Sequence, residues 1–309
     1  MRIKVLGSAA GGGFPQWNCG CSNCSRFRSG SFKGGARTQA QVAVSATPGN
    51  WLLVNASPDL RQQLLSCPEF APTGPRSTPI HAIILTSADT DCVFGLLHLR
   101  EFQPLRIYAT ESVRRVITEE NSLFRTLERS TPPVCWEPLP LDRPIPIHAA
   151  ASPHADATLC CRAIPLGGEF PDYVSSNLRG KLSREEAVVA LELTHRERKF
   201  FLAPSLPALN QCTKLRINDC QFWALDGTFW TENELKEVRG EGKTAREIGH
   251  LALSGPDGLL EQLRGTPSAR RVLIHLNNTN PVLDEESAAY RAVRDAGWEI
   301  ANDGMEFNL

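Results

Sequence analysis

The sequence predicts an α/β layered sandwich with its helices outside the sheets. Three observations carry this expectation. Short apolar runs punctuated by turn residues recur in both halves of the chain, capped helical segments interleave with them, and the two kinds do not alternate in the strict order of a doubly wound sheet. With 309 residues, 41% apolar and 22% charged, the chain can bury a substantial core. A single domain over residues 1–309 is expected, because large α/β sandwiches run to this length as one unit.

In the first half, Ile3 to Leu6, Gln41 to Ser45, Trp51 to Val54, Ala82 to Leu85 and Leu105 to Tyr108 read as strands. Ser57-Pro58-Asp59 sets a cap, a first-turn proline and an acid ahead of a helix at Leu60 to Leu65. Val93 to Glu101 carries apolar residues at helical spacing, and Ser112 to Leu127 is a further helical segment. In the second half, Cys160 to Ile164, Ala187 to Leu193, Lys199 to Leu202, Gln221 to Leu225, Arg271 to Ile274 and Trp298 to Ile300 read as strands. The charged stretch His195 to Arg198 suggests an antiparallel hairpin with an exposed tip. Near the end, Asp284-Glu285-Glu286 opens an amphipathic helix with Ala289, Ala292, Val293 and Ala296 on one side, closed by Gly297. The proline-rich stretches Ala71 to Pro79 and Thr131 to Pro146 read as loops. No internal repeat is present.

Acidic and basic side chains number 34 and 33, so no cationic excess exists to neutralise a phosphate backbone and no polybasic run to meet anionic lipid. Nucleic acid and membrane insertion are therefore not expected. No apolar stretch approaches the roughly 20 residues that span a bilayer, and no apolar signal core precedes the first glycines, so a cytoplasmic location is expected. Ten scattered cysteines suit reduced thiols and a metal site better than a disulfide scaffold.

Cys19-Gly20-Cys21-Ser22-Asn23-Cys24 places three thiols in a glycine-rich loop, where close thiolates can converge on one cation. Structural Zn²⁺ is the expected occupant, with a fourth donor from a distant segment. A second constellation sits where strands run into polar loops. Asp89, Asp91 and Cys92 follow one strand, Asp226-Gly227-Thr228 another, and His275 to Asn280 a third; if these loops meet at one sheet edge, His250 could join them. Together they could bind Fe²⁺, Mn²⁺ or Zn²⁺; singly, each reads as a cap or a packing residue. Gly7 to Gly13 lacks the ending of a phosphate loop, and no Gly-x-Ser-x-Gly elbow is present. His81, His98, His148, His154 and His195 read as surface or packing residues, and Cys160-Cys161 as part of a strand rather than a redox pair.

The opening Gly7-Ser8-Ala9-Ala10-Gly11-Gly12-Gly13-Phe14-Pro15-Gln16-Trp17-Asn18-Cys19, with the triplet that follows, resembles the coenzyme PQQ biosynthesis protein B family. Gly95 to Glu101, the segment from Asp226 to His250, Ile274 to Pro281 and Asp303 to Glu306 agree with it. The resemblance implies the metallo-β-lactamase fold, an αββα four-layer sandwich with its metal site on loops at one edge of two facing sheets. It aligns the superfamily motif His-x-His-x-Asp-His with Ser87, Asp89, Asp91 and Cys92, so none of the three histidines is kept, and Cys92 stands where the family usually has histidine. Asp226 falls at the metal-bridging aspartate, His275 at the last histidine, and His250 at a family position near the site. Asn278 falls where a related phosphodiesterase branch has the histidine that completes a cysteine-bound zinc.

The resemblance further implies a role in making pyrroloquinoline quinone (PQQ) from a peptide carrying a cross-linked glutamate and tyrosine. One implied activity is iron- and oxygen-dependent hydroxylation of the tyrosine-derived ring, with Asp91, Cys92 and His275 as ligands and Asp89, Asp226 and His250 as further ligands, acid/base groups or orienters. The alternatives are carriage of PQQ or its precursor towards the periplasm, and a catalytically inactive binding paralogue. Two-metal ester hydrolysis is disfavoured by the missing histidines. The implied partners are the peptide-derived precursor or PQQ and other proteins of the pathway, with association into a homodimer left open.

Overall fold

The structure, a computed structural model, describes residues 1–100, 105–129, 134–147, 159–266 and 269–309. The chain forms two compact units, one of residues 1–6, 41–199 and 304–309, the other of residues 7–40 and 200–303. Its strands are β1 (Arg2–Gly7), β2 (Gln41–Thr47), β3 (Asn50–Val54), β4 (Ile80–Ile84), β5 (Arg106–Ala109), β6 (Cys135–Pro138), β7 (Pro144–Pro146), β8 (Cys160–Pro165), β9 (Val189–His195), β10 (Arg198–Ala203), β11 (Phe222–Asp226), β12 (Arg270–Ile274), β13 (Glu299–Ile300) and β14 (Glu306–Asn308).

In the first unit one mixed sheet runs β14-β1-β2-β3-β4-β5-β6. The pairs β1 with β14 and β2 with β3 are antiparallel, whereas β3 to β6 are parallel. The parallel strands read as unbroken apolar runs because both of their faces are covered; Leu52, Leu53, Ile83, Ile84 and Ile107 are all fully buried. The same unit holds the antiparallel ladder β7-β8-β9. In the second unit β10 to β13 form a parallel ladder. Its core stacks Phe200 on Phe222 with ring centroids 5.0 Å apart and sets Trp223 against Trp298 at 6.2 Å. Among the described residues no helix is long and apolar enough to cross a membrane.

Several elements differ from expectation. The proline-rich stretch 131–146 contains β6 and β7, both at sheet edges, where a proline lacks no ladder partner. The cysteine loop turns helical at Ser22–Arg28, since no glycine or proline follows Gly20 until Gly30. The segment expected as one helix at Ser112 to Leu127 is a helix Glu111–Arg115, a π turn Val116–Glu120 and a 3₁₀ stretch Ser122–Arg129, broken where Asn121 turns its amide back onto the Val116 carbonyl at 3.2 Å. The last helix, Ala288–Asp295, is capped by Ser287, whose hydroxyl accepts from the Tyr290 amide at 2.9 Å, with Gly297 beyond its end at φ +81°. Asp284 stands outside it and pairs with Arg26 at 2.5 Å. His148, His154 and Glu101 lie outside the described residues.

The helix expected at Val93 to Glu101 is a single α-turn, Thr90–Val93, followed by a 3₁₀ turn, Phe94–Leu99. Gly95 brings that turn onto the backbone of the Ser57 loop. A Cβ there would lie 2.2 Å from the Ser57 carbonyl oxygen and 2.7 Å from that of Ala56. Backbone atoms cannot step aside as a side-chain tip can, so Gly95→Ala is expected to destabilise by about 3 kcal/mol, the upper end for overpacking, read as a lower urea midpoint.

Candidate metal sites

In the second unit the Cys19, Cys21 and Cys24 sulfurs converge within 4.8 Å of one another. The geometry is built locally. Cys21 is the N-cap residue of the helix Ser22–Arg28, Cys24 lies buried in its first turns, and the Cys21 amide donates to the Cys19 sulfur at 3.4 Å. Arg28 reaches back to the Cys19 carbonyl at 2.5 Å and to that of Gln16, closing the loop over the helix. Burial drives the Cys21 thiol up to about 12. At Cys19 burial acts in the same direction, but hydrogen bonds from the Cys21 amide and from the Cys21, Asn278 and Cys24 side chains outweigh it and hold that thiol below its ordinary value. A cation bound here would displace the protons of these thiols, because the thiolate is the metal ligand.

Asn278 faces the three sulfurs. It is buried, and its side-chain amide nitrogen donates to the sulfurs of Cys19, Cys24 and Cys21 at 3.0, 3.5 and 3.6 Å. Half a turn of the carboxamide puts Oδ1 in the same place, the two ends being nearly isosteric. A tetrahedral zinc with about 2.3 Å bonds to sulfur and about 2.1 Å bonds to oxygen has S···O edges of about 3.6 Å, so three cysteines and the Asn278 oxygen can enclose a zinc without rebuilding the loop.

The second cluster is Asp226, His250 and His275, also in the second unit and within 4.8 Å. Asp226 ends β11, fully buried, and all four of its acceptor directions are used. Oδ1 accepts from the Thr228 amide at 2.9 Å and hydroxyl at 2.5 Å; Oδ2 accepts from the Leu206 amide at 2.8 Å and lies 2.7 Å from His250 Nδ1. Burial pushes this carboxyl up, but His250, through charge and hydrogen bond, then His275 and Thr228 pull it below the usual carboxylate range. His275 follows β12 with φ +62°, a left-handed conformation uncommon outside glycine. Gly227 is what allows the approach: a Cβ there would meet Leu273 and Leu276 side-chain atoms at 3.0 Å.

Thr228 decides the tautomers. Its hydroxyl has one hydrogen and is 2.5 Å from Asp226 Oδ1, 2.8 Å from His275 Nδ1 and 3.1 Å from His250 Nδ1. With that hydrogen given to the carboxylate, the closest acceptor, His275 Nδ1 carries a hydrogen and donates to Thr228, while His250 Nδ1 donates to Asp226. Both assignments place the ring lone pair on Nε2, the atom each imidazole would offer to a cation. The two rings stack with centroids 5.3 Å apart and 22° between planes, and Phe229 closes on His250 edge-on at 5.8 Å.

Asp89, Asp91 and Cys92 belong to the first unit. Asp89 has the backbone position of an N-cap for Thr90–Val93, but its carboxylate accepts from the Ser87 hydroxyl at 2.7 Å instead of capping an amide. Burial raises the Cys92 thiol well above its ordinary value, with the Asp91 and Asp89 carboxylates adding to the effect. The Tyr173 hydroxyl donates to the Ala88 carbonyl beside them. Of the remaining histidines, His98 is exposed, and burial lowers His81 to about 4, as expected of a packing residue kept neutral. Cys161 is buried in β8.

Thr228, Asn23 and Asn280 were not legible as site residues, because neither hydroxyl nor carboxamide carries a metal signature; the tight Asp-Gly-Thr at a strand end is the signal that could have found Thr228. Glu234 is a further case. It is buried, accepts from the Thr279 hydroxyl at 2.5 Å and the Trp230 amide at 2.6 Å, and is pushed by burial up to about 7. An acid raised from 4.5 in this way favours the fold most below its unfolded value, and that advantage is lost as pH rises through about 7. The expected loss is about 3 kcal/mol between pH about 4.5 and pH about 7.5. Glu234→Gln reproduces the protonated acid, with its amide facing Thr279 and its oxygen facing Trp230, so urea midpoints of this variant should lose most of that pH dependence.

Comparison with known proteins places these features. Residues 50–276 match the family model described as a beta-lactamase superfamily domain. The chain is 42% identical over 311 residues to the coenzyme PQQ synthesis protein B of Methylococcus capsulatus and 40% identical over 311 residues to that of Nitrosococcus oceani, with the whole of each chain covered. The crystal structure of Zn(2+)-bound PqqB from Methylobacterium extorquens superposes with a TM-score of 0.90 at 33% identity, again over the whole of both chains. The metallo-β-lactamase fold implied by the sequence resemblance is thus the fold of this chain, with two mixed sheets and helices.

Proposed function

The chain belongs to the coenzyme PQQ synthesis protein B family, and from that premise we propose that it acts in PQQ synthesis as a metal-dependent hydroxylase of the tyrosine-derived ring of a Glu-Tyr precursor. The observation that carries this reading is the imidazole pair. His250 is backed by a carboxylate at 2.7 Å and His275 by a hydroxyl at 2.8 Å, the outer-shell arrangement that fixes ring orientation in metal-ligating histidines. Imidazole suits Fe²⁺. Fe²⁺ held by His250 and His275 would supply O₂ activation for adding one oxygen atom to the ring, the other leaving as water with two electrons from a reductant.

The protein's own residues do the remaining work. Asp226 orients His250 and balances the positive charge of a bound cation, and Thr228 fixes the tautomer of His275. Cys19, Cys21, Cys24 and Asn278 hold Zn²⁺ as a structural staple for the 7–40 segment, in keeping with the zinc reported in the Methylobacterium relative. We further propose a single domain, since the family match at residues 50–276 runs through both compact units, and a cytoplasmic location, where the thiols stay reduced.

The test is turnover. Protein reconstituted with Fe²⁺ under anaerobic conditions and then given O₂, ascorbate and the cross-linked Glu-Tyr precursor should yield a product heavier by one oxygen atom, and His275→Ala should yield none. Saturable binding of precursor or PQQ without any mass gain would favour the carrier reading instead.

A further inference from the structure

The cysteine cluster and the histidine pair are joined by one short segment whose alternate residues are buried. His275 and Asn278 are three residues apart, so the stretch 275–280 carries a ring of one site and the fourth position of the other. Asn23, between Cys21 and Cys24, is buried and donates its side-chain amide to the backbone carbonyls of Asn278 at 3.1 Å and Asn280 at 2.9 Å. Asn280, fully buried, donates in turn to the carbonyls of Gly227 at 2.8 Å and Thr228 at 3.2 Å, while its own Oδ1 accepts from the Val282 amide at 2.9 Å. The Thr228 carbonyl also accepts from the Asn277 amide at 3.1 Å, and its hydroxyl meets His275 and His250. Little slack exists along this path. A Cβ at Gly227 would meet Leu273 and Leu276 side-chain atoms at 3.0 Å, and His275 is held at φ +62°, uncommon for a non-glycine residue.

We propose that Asn23 and Asn280 are positioning residues that couple the two sites, so that a cation on the cysteines and Asn278 sets the placement of His275 and His250. The inference rests on reading the three cysteines as a metal site. A cation held by the sulfurs and the Asn278 side chain would fix the Asn278 backbone in its present register. Asn23 would pass that restraint to Asn280, and Asn280 to the Asp226-Gly227-Thr228 turn. Without the cation the same segment is held by weaker hydrogen bonds to sulfur.

The test uses full-length ¹⁵N-labelled protein freed of metal with a chelator and kept reduced. One equivalent of Cd²⁺, whose softness directs it to thiolates, is followed in parallel by its thiolate charge-transfer absorbance and by the ring-nitrogen signals of His250 and His275. Both ring signals are expected to move as the charge-transfer band grows. In Asn280→Asp, which turns a donor to two carbonyls into an acceptor, the band should remain and the ring response should fall to a small fraction of its wild-type size. Should that variant not fold, Asn23→Ala cuts the same path on the cysteine side and has the same expected result. Ring signals that stay still while the band saturates would overturn the coupling, as would an undiminished response in a folded Asn280→Asp or Asn23→Ala. The same response in Cys21→Ser would place the Cd²⁺ at the histidines and would also overturn it. Absence of the band in the unmodified protein overturns the cysteine-site reading itself, and the coupling with it.

Discussion

Asp226→Ala is expected to cost about 3–5 kcal/mol of stability, the range for removing one partner of a buried, charge-assisted pair. Four donors converge on this carboxylate: the Leu206 and Thr228 amides, the Thr228 hydroxyl and His250. Deleting it strands them around a position that is itself fully buried. Asp226→Asn separates charge from shape. It keeps one acceptor oxygen but sets an NH₂ group against amide hydrogens, so it should lose less stability than alanine and still release His250 from its fixed tautomer. Urea unfolding of the three proteins side by side checks the order, wild type above asparagine above alanine. An alanine variant within about 1 kcal/mol of wild type would mean that the hydrogen bonds around Asp226 do not hold the second unit together.

Cys24→Ala is expected to have the other large effect. With one of three thiolates gone, zinc affinity should fall by several orders of magnitude, because structural zinc is held by about 10–16 kcal/mol in small cysteine sites and each ligand carries a large share. The consequence for the fold is local. The Phe14, Phe27 and Phe32 rings pack together at 5.1–6.2 Å in this segment, and Arg26 and Arg28 are tied to Asp284 and to the loop carbonyls. Loss of zinc should free this region and expose Arg26, Arg28 and Lys33 to trypsin. Limited proteolysis of wild type, Cys24→Ala and chelator-treated wild type should show early cleavage between Arg26 and Gly34 in the last two alone. Equal resistance in all three would remove the structural role from the zinc.

What was legible in the sequence follows from how local each signal is. The cysteine triplet declares itself within six residues, and the apolar runs of β3, β4 and β5 declare burial on both faces. β14 was missed because Phe307 is its only apolar residue, and β6 and β7 because proline is tolerated at an edge where it would be excluded from a sheet centre. Asp226, His250 and His275 could each be named, but their convergence depends on pairings 24 and 47 residues apart in the chain, which no local pattern encodes. The last helix shows the opposite error. Three successive acids at 284–286 look like its first turn, yet Ser287 is the cap, since a hydroxyl one residue before the turn can reach the Tyr290 amide while Asp284 is drawn away by Arg26.

The proposed function places two different cations in the second unit, zinc on the cysteines and iron on the histidine pair. Elemental analysis of protein purified and reconstituted with Fe²⁺ without oxygen tests it most directly, with Cys24→Ala and His275→Ala beside the wild type. About one zinc and one iron per wild-type chain are expected, with zinc but no iron in His275→Ala and loss of zinc in Cys24→Ala. One zinc and no iron in the wild type, or iron that persists in His275→Ala, would contradict it.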